Sequence, residues 1–231
     1  METLGLILKV FWAPAEAMFL ISKKPRILVP LLLLTAVSLG SAVVTFNKVD
    51  MMQIMVQRAE QRGQVISEEQ RAAMSRMSSV MIPATIASAT LGTAIFITVA
   101  AAIYFGVFTI IGRQGDFKAF YAVTVFAFLP LMFRSVVAAL QATFVPPAQL
   151  VLEELGSMSL AVFLDPIAVS KLVYGIASVI DVISIWVAVL LIIGFKFVTT
   201  KSVTMPTRVA GVVVVYAAFS AIGVALRMLR P

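Results

Sequence analysis

Residues 27–46 read ILVPLLLLTAVSLGSAVVTF, with no acid, base or side-chain amide among them. At about 1.5 Å per residue in a helix, this run crosses a hydrocarbon core of about 30 Å. Further predominantly apolar runs follow at about 80–111, 119–145, 167–196 and 208–228. A chain of 231 residues that is 61% hydrophobic and 13% charged cannot bury so much apolar surface in one water-soluble core. Mean hydropathy is +1.05. The sequence therefore predicts an all-α, polytopic membrane helix bundle with five transmembrane helices over residues 27–231.

Residues 1–26 differ from the rest. Leu4, Ile7, Leu8, Phe11 and Trp12 recur at helical spacing, Pro14 interrupts them, and a second short apolar helix follows from Ala15 to Ile21. This pattern predicts an amphipathic segment lying at the headgroup plane, or a basic anchor for the next helix. It reads as a poor signal peptide, because Lys9, Pro14 and Glu16 break its apolar part and Lys23, Lys24 and Arg26 come after it.

Residues 47–79 form the longest polar segment. Val49, Met52, Val56 and Ala59 keep helical spacing up to Gly63, and Ser67-Glu68-Glu69-Gln70 is a capping-box pattern that starts a new helix. The expectation is an extramembrane helical hairpin between spans one and two. Pro83 predicts a kink in span two, whose length exceeds a straight crossing. In the turn GRQGD, Asp116 is an N-cap candidate for span three. AQLVLEELGS predicts a short helix stopped at Gly156, and Asp165-Pro166 predicts the start of span four. Two patterns of small residues, Ala36/Gly40 and Ala217/Ala221/Ala225, suit close helix contact.

There are 18 Lys+Arg against 11 Asp+Glu, a net charge of +7, with no Cys and no His. The basic residues sit at the ends of apolar runs, which favours lipid headgroups over nucleic acid. Five crossings place Lys9, Lys23, Lys24, Arg26, Arg113, Lys118, Lys196, Lys201 and Arg208 on one side. Lys48, Arg58, Arg62, Arg71, Arg76, Lys171, Arg227 and Arg230 fall on the other. The totals nearly balance, so the cluster beside span one sets the expectation: N-terminus cytoplasmic, C-terminus outside. Missing His and Cys removes imidazole bases, thiol nucleophiles and the usual zinc ligands. An aspartyl mechanism needs two carboxylates, and the membrane region offers one. No phosphate-cradling or dinucleotide Gly-rich loop is present. Met51, Met52, Met55, Met74, Met77 and Met81 read as an apolar helix face rather than a copper site. No cofactor or metal is expected.

Two charges lie well inside apolar runs: Arg134 in MFRSVVAAL and Asp181 in SVIDVISIWVAVLLIIG. Arg134 lies about 18 Å from Pro146, and Asp181 about 15 to 22 Å from Lys171 or Pro166, measured as helix. The equal depths predict an intramembrane ion pair. Such a pair serves either helix register or a transport pathway.

Three blocks carry a resemblance. FWAPAEAMFLISKKPRILVPLLLL, GRQGDFKAFYAVTVFAFLPLMF and DVISIWVAVLLIIGFKFVTTKS together resemble bacterial members of the Yip family, named for interaction with Ypt/Rab GTPases. The positions that carry it are Trp12, Pro14, Pro25, Phe117, Pro130, Trp186 and Gly194. The resemblance implies a five-span fold with a cytoplasmic N-terminus in a bacterial inner membrane, and no established activity. The chain lacks the long N-terminal region and acidic Tyr-Gly-Pro motif of eukaryotic members, so Rab-type GTPase binding is not carried over. The expected function is non-enzymatic membrane organisation, or binding of lipid, a membrane-protein partner or a second copy of the chain. The alternative is a transporter or channel for a small or lipidic substrate using Arg134 and Asp181.

Overall fold

The computed structural model describes residues 2–49, 56, 67–146, 155–165 and 168–228. Among these the helices are α1 (Glu2–Trp12), α2 (Pro14–Lys23), α3 (Leu28–Lys48), α4 (Glu68–Ile111), α5 (Phe117–Ala127), α6 (Leu131–Phe144), α7 (Lys171–Val179), α8 (Val182–Phe195) and α9 (Met205–Met228). A 3₁₀ turn occupies Leu160–Phe163. There are no strands among the described residues, only isolated antiparallel bridges at Arg113–Thr199 and Ser159–Asp181.

Four stretches are long and apolar enough to span a bilayer: Leu28–Lys48, Ile86–Ile111, Phe117–Phe144 and Met205–Leu226. The remaining apolar helix, Val182–Phe195, is shorter. Span four of the sequence reading is therefore broken: its N-terminal part is α7, its C-terminal part α8. The start differs too. Ser170, not Asp165, caps α7, its hydroxyl accepting the Val173 N–H at 3.3 Å.

Two capping signals are realised as read. The capping box at the start of α4 is reciprocal, with Ser67 N–H to Gln70 Oε1 at 2.9 Å and Gln70 N–H to Ser67 Oγ at 3.2 Å. Pro83 lies inside α4. The Asp116 carboxylate accepts the Ala119 N–H at 2.8 Å and starts α5. Most of the first half of the expected extramembrane hairpin, and most of the expected short helix before Gly156, fall outside the described residues.

The chain divides into two units: 1–34 with 94–131 and 157–231, and 35–93 with 132–156. In the first, α5 is the centre, with Phe120, Val123, Val125 and Phe126 all buried. Phe108, Phe120 and Phe195 meet at 4.9 to 6.0 Å between ring centroids. Helix α2 packs on both α5 and α8, and α9 packs on α7 and α8. Outward side chains are also apolar, Ile95, Val99 and Ile110 on α4 and Val213, Val214 and Ile222 on α9 among them. In a bilayer these meet acyl chains, so the core is held by close packing rather than by exclusion from water. The small stripe Ala217, Ala221, Ala225 is exposed. Helix α9 uses another face, where Val212 and Val215 are buried and Gly211 lies against Phe108.

The turn Gly112–Asp116 pairs with the loop after α8: Gln114 and Gly115 N–H groups donate to the Val198 carbonyl, and Thr200 N–H to the Gly112 carbonyl, at 2.9 to 3.0 Å. Phe19 of α2 meets Phe197 of that loop edge to face at 5.6 Å. Arg113 and Lys196, placed on one membrane side by the expectation of five crossings, thus share one end of this unit with α2.

In the second unit, Val49 and Ala142 form a small buried cluster with Val145 and Leu155 packed on it. The Ser41 hydroxyl donates to the Ser135 carbonyl at 2.6 Å, and Thr93 to Ser38 Oγ at 3.2 Å. Gly156 has φ +73°, and a Cβ there would fall 2.3 Å from the Arg134 carbonyl oxygen. Its N–H donates to Gln141 Oε1 at 2.7 Å.

Candidate functional site: the helix break at Asp181

Asp181 begins α8 in an extended conformation, φ −126° and ψ 130°. It is not an acid in mid-helix; it is a buried N-cap, 2% exposed. Its Oδ1 accepts the Ser184 N–H at 2.9 Å and its Oδ2 accepts the Met158 N–H at 3.1 Å. A helix N-terminus has orphan N–H groups and a positive dipole end, and a carboxylate answers both. That is why an acid is stable here without being expelled from the apolar run.

The second donor comes from a segment remote in sequence. Residues 158–160 lie antiparallel to 180–182, with Leu160 N–H to the Ile180 carbonyl at 3.0 Å and Val182 N–H to the Met158 carbonyl at 3.4 Å. Ser157 and Ser159 hydroxyls stand 2.8 Å apart beside them. On the other side of the break, the Tyr216 hydroxyl of α9 donates to the Val179 carbonyl at 2.5 Å. This satisfies an orphan carbonyl at the end of α7. Irregular backbone inside an apolar bundle is tolerated only where such groups are met internally, and here both ends of the break are served.

The resemblance positions have identifiable physical tasks. Pro14 opens α2 at its first turn after Ala13. Pro25 lies in the break between α2 and α3. Phe117 opens α5, edge-on to Phe105 at 5.5 Å and stacked on Tyr121 at 5.8 Å. Pro130 lies in the turn that separates α5 from α6. Trp186 meets Phe11 edge to face at 5.5 Å, tying α8 to α1. Gly194 is the tightest crossing: a Cβ there would fall 2.5 Å from Val123 Cγ1 and 3.2 Å from Met18 Sδ, so α8, α5 and α2 approach through its missing side chain. Trp12 closes α1 and is 67% exposed.

Arg134 belongs to the unit 35–93/132–156 and Asp181 to the other. Sequence reading missed the Met158 N–H, Ser159 and Tyr216. The available signal was Asp181 ahead of an apolar helix, an N-cap pattern hidden because residues 171–179 are apolar and helical too.

A helical chain with four bilayer-length apolar helical stretches and an internally satisfied helix break is an integral membrane protein. The family follows from comparison. The Yip1 domain model matches residues 8–226, and the chain belongs to that family. No curated protein and no solved structure matches it.

Proposed function

We propose that the protein is a non-enzymatic organiser of the membrane, acting by holding lipid or a membrane-protein partner, a second copy of the chain included. It sits in a bacterial inner membrane and crosses it five times, with the N-terminus cytoplasmic and the C-terminus outside. The observation that carries this reading is the environment of Asp181. Its carboxylate caps a helix and clamps residues 158–160, an architectural task that needs no substrate. Extraction into native-lipid discs with a membrane-active copolymer tests it. Lipid or protein that co-purifies at a fixed ratio is the expected result; a lone chain in bulk lipid would contradict it.

One observation favours a second reading, transport. Helices α7 and α8 form a discontinuous pair with an acid at the break, a device that builds substrate sites in transporters. Asp181 lies about 21 Å along α8 from its Phe195 end, beyond the middle of a core about 30 Å thick, which favours architecture. Flux into proteoliposomes that Asp181→Asn abolishes, with the fold intact, would reverse that preference.

A further inference from the structure

Helices α1 and α2 fold back on each other around an open, concave cavity of about 470 Å³ lined by Lys9, Lys23, Lys24 and Arg26, with Leu6 and Leu20 among its apolar walls. We infer that this cavity binds the phosphate of an anionic phospholipid, with the lipid's glycerol and upper acyl chains against the neighbouring leucines. The inference rests on the lipid-holding branch of the proposed function and names its ligand.

Charge is the first support. Glu16 pairs with Lys9, and Glu2 with Arg26. Lys23 and Lys24 make no ion pair among the described residues. Lys23 instead lies 5.7 Å over the Phe19 ring. Two ammonium groups thus face a cavity whose only acidic lining residue, Glu2, is already paired. The Glu2 carboxyl itself is held below the usual carboxylate range, first by its hydrogen bond from Arg26 and then by the charges of Arg26 and Lys24.

Position is the second support. Helix α3 starts at Leu28, two residues after Arg26, and is long and apolar enough to span the bilayer. The cavity therefore sits at headgroup level. Basic groups at that level are attracted by the negative surface potential of anionic lipid. Shape is the third. Leu4, Leu8 and Trp12, at successive helical turns of α1, are exposed, as is Leu20 of α2. The opposite faces are fixed in the core by Ile7, Val10, Met18 and Ile21. A preformed concave site with cations and apolar walls suits a lipid better than a free anion, which would have no use for the walls.

Full-length protein, purified and stripped in neutral detergent, is titrated with phosphatidylglycerol or phosphatidylcholine and read by native mass spectrometry. One phosphatidylglycerol per chain should bind at least tenfold tighter than phosphatidylcholine. K23Q/K24Q should remove that preference. K118Q/K201Q, which changes two cations outside the cavity, and K23R/K24R should keep it. Glycerol phosphate up to millimolar concentration should not compete. Equal binding of the two lipids, equal loss in K23Q/K24Q and K118Q/K201Q, or displacement by glycerol phosphate overturns the assignment. Circular dichroism and a monodisperse elution profile confirm that each variant is folded. If K23Q/K24Q binds as wild type while lipid still co-purifies from native membranes at a fixed ratio, the cavity is wrong and the proposed function stands. If nothing co-purifies, the function reading falls as well.

Discussion

At Asp181 the cost of substitution should be graded by hydrogen-bond chemistry. Asp181→Asn keeps an acceptor for the Ser184 N–H but turns an NH₂ donor towards the Met158 N–H, which stood 3.1 Å from Oδ2. Asp181→Ala leaves both donors without their acceptor. An unsatisfied buried donor costs about 1–3 kcal/mol, so Ala should lower unfolding stability in detergent more than Asn, by roughly that amount. Tyr216→Phe, which removes only the donor to Val179, should cost about 1 kcal/mol. The pairing of Arg134 with Asp181 expected from their depth has its own test, a double-mutant cycle with Arg134→Gln and Asp181→Asn. A coupling above about 0.5 kcal/mol supports the pair, and additivity refutes it. Asp181 was legible as an unusual residue, but its task was not. The partner N–H of Met158 lies 23 positions away on a segment with no pattern of its own, and no period in the sequence encodes that pairing.

Among the elements, the crossing at Gly194 makes the sharpest demand. Gly194→Ala would press on Val123 Cγ1 and should destabilise by about 1–3 kcal/mol, measured by thermal unfolding in detergent. Val123→Ala in the same chain should return part of that loss, because it removes the methyl groups in the way. The hairpin of α1 and α2 carries a pH dependence. The folded-state carboxyl of Glu2 lies below its ordinary value of 4.5 because Arg26 donates to it. A lowered carboxylate contributes stability that is present above the unfolded value and lost as pH falls through the folded one. Hydrogen-exchange protection of α1 should therefore weaken below about pH 4.5, and Glu2→Gln should remove that dependence. Element ends set by local side chains were legible in the sequence. Ser67 with Gln70, Asp116 and Pro14 each act on their own next turn. The break inside 167–196 was not legible, because α7 and α8 are both apolar and the interruption is imposed by residues 158–160 and Tyr216 from elsewhere in the fold.

For the molecule as a whole, the alternation of apolar runs was legible because membrane crossing is a matter of length and composition, and the same rules produce the four long apolar stretches. The exposed small stripe on α9 shows the limit: Ala217, Ala221 and Ala225 have a contact-ready spacing, yet the packing selected Gly211, Val212 and Val215. The central claim is that the broken pair α7–α8 makes a fifth crossing, so that Lys171 and Lys201 face opposite sides. The chain has no cysteine, which makes single-cysteine labelling clean. Lys9→Cys, Lys171→Cys and Lys201→Cys are expressed separately and exposed to an impermeant maleimide in intact and opened membrane vesicles of one orientation. The account predicts that Lys9→Cys and Lys201→Cys label from the same side and Lys171→Cys only from the other. Labelling of Lys171→Cys from the side that reaches Lys201→Cys would contradict it.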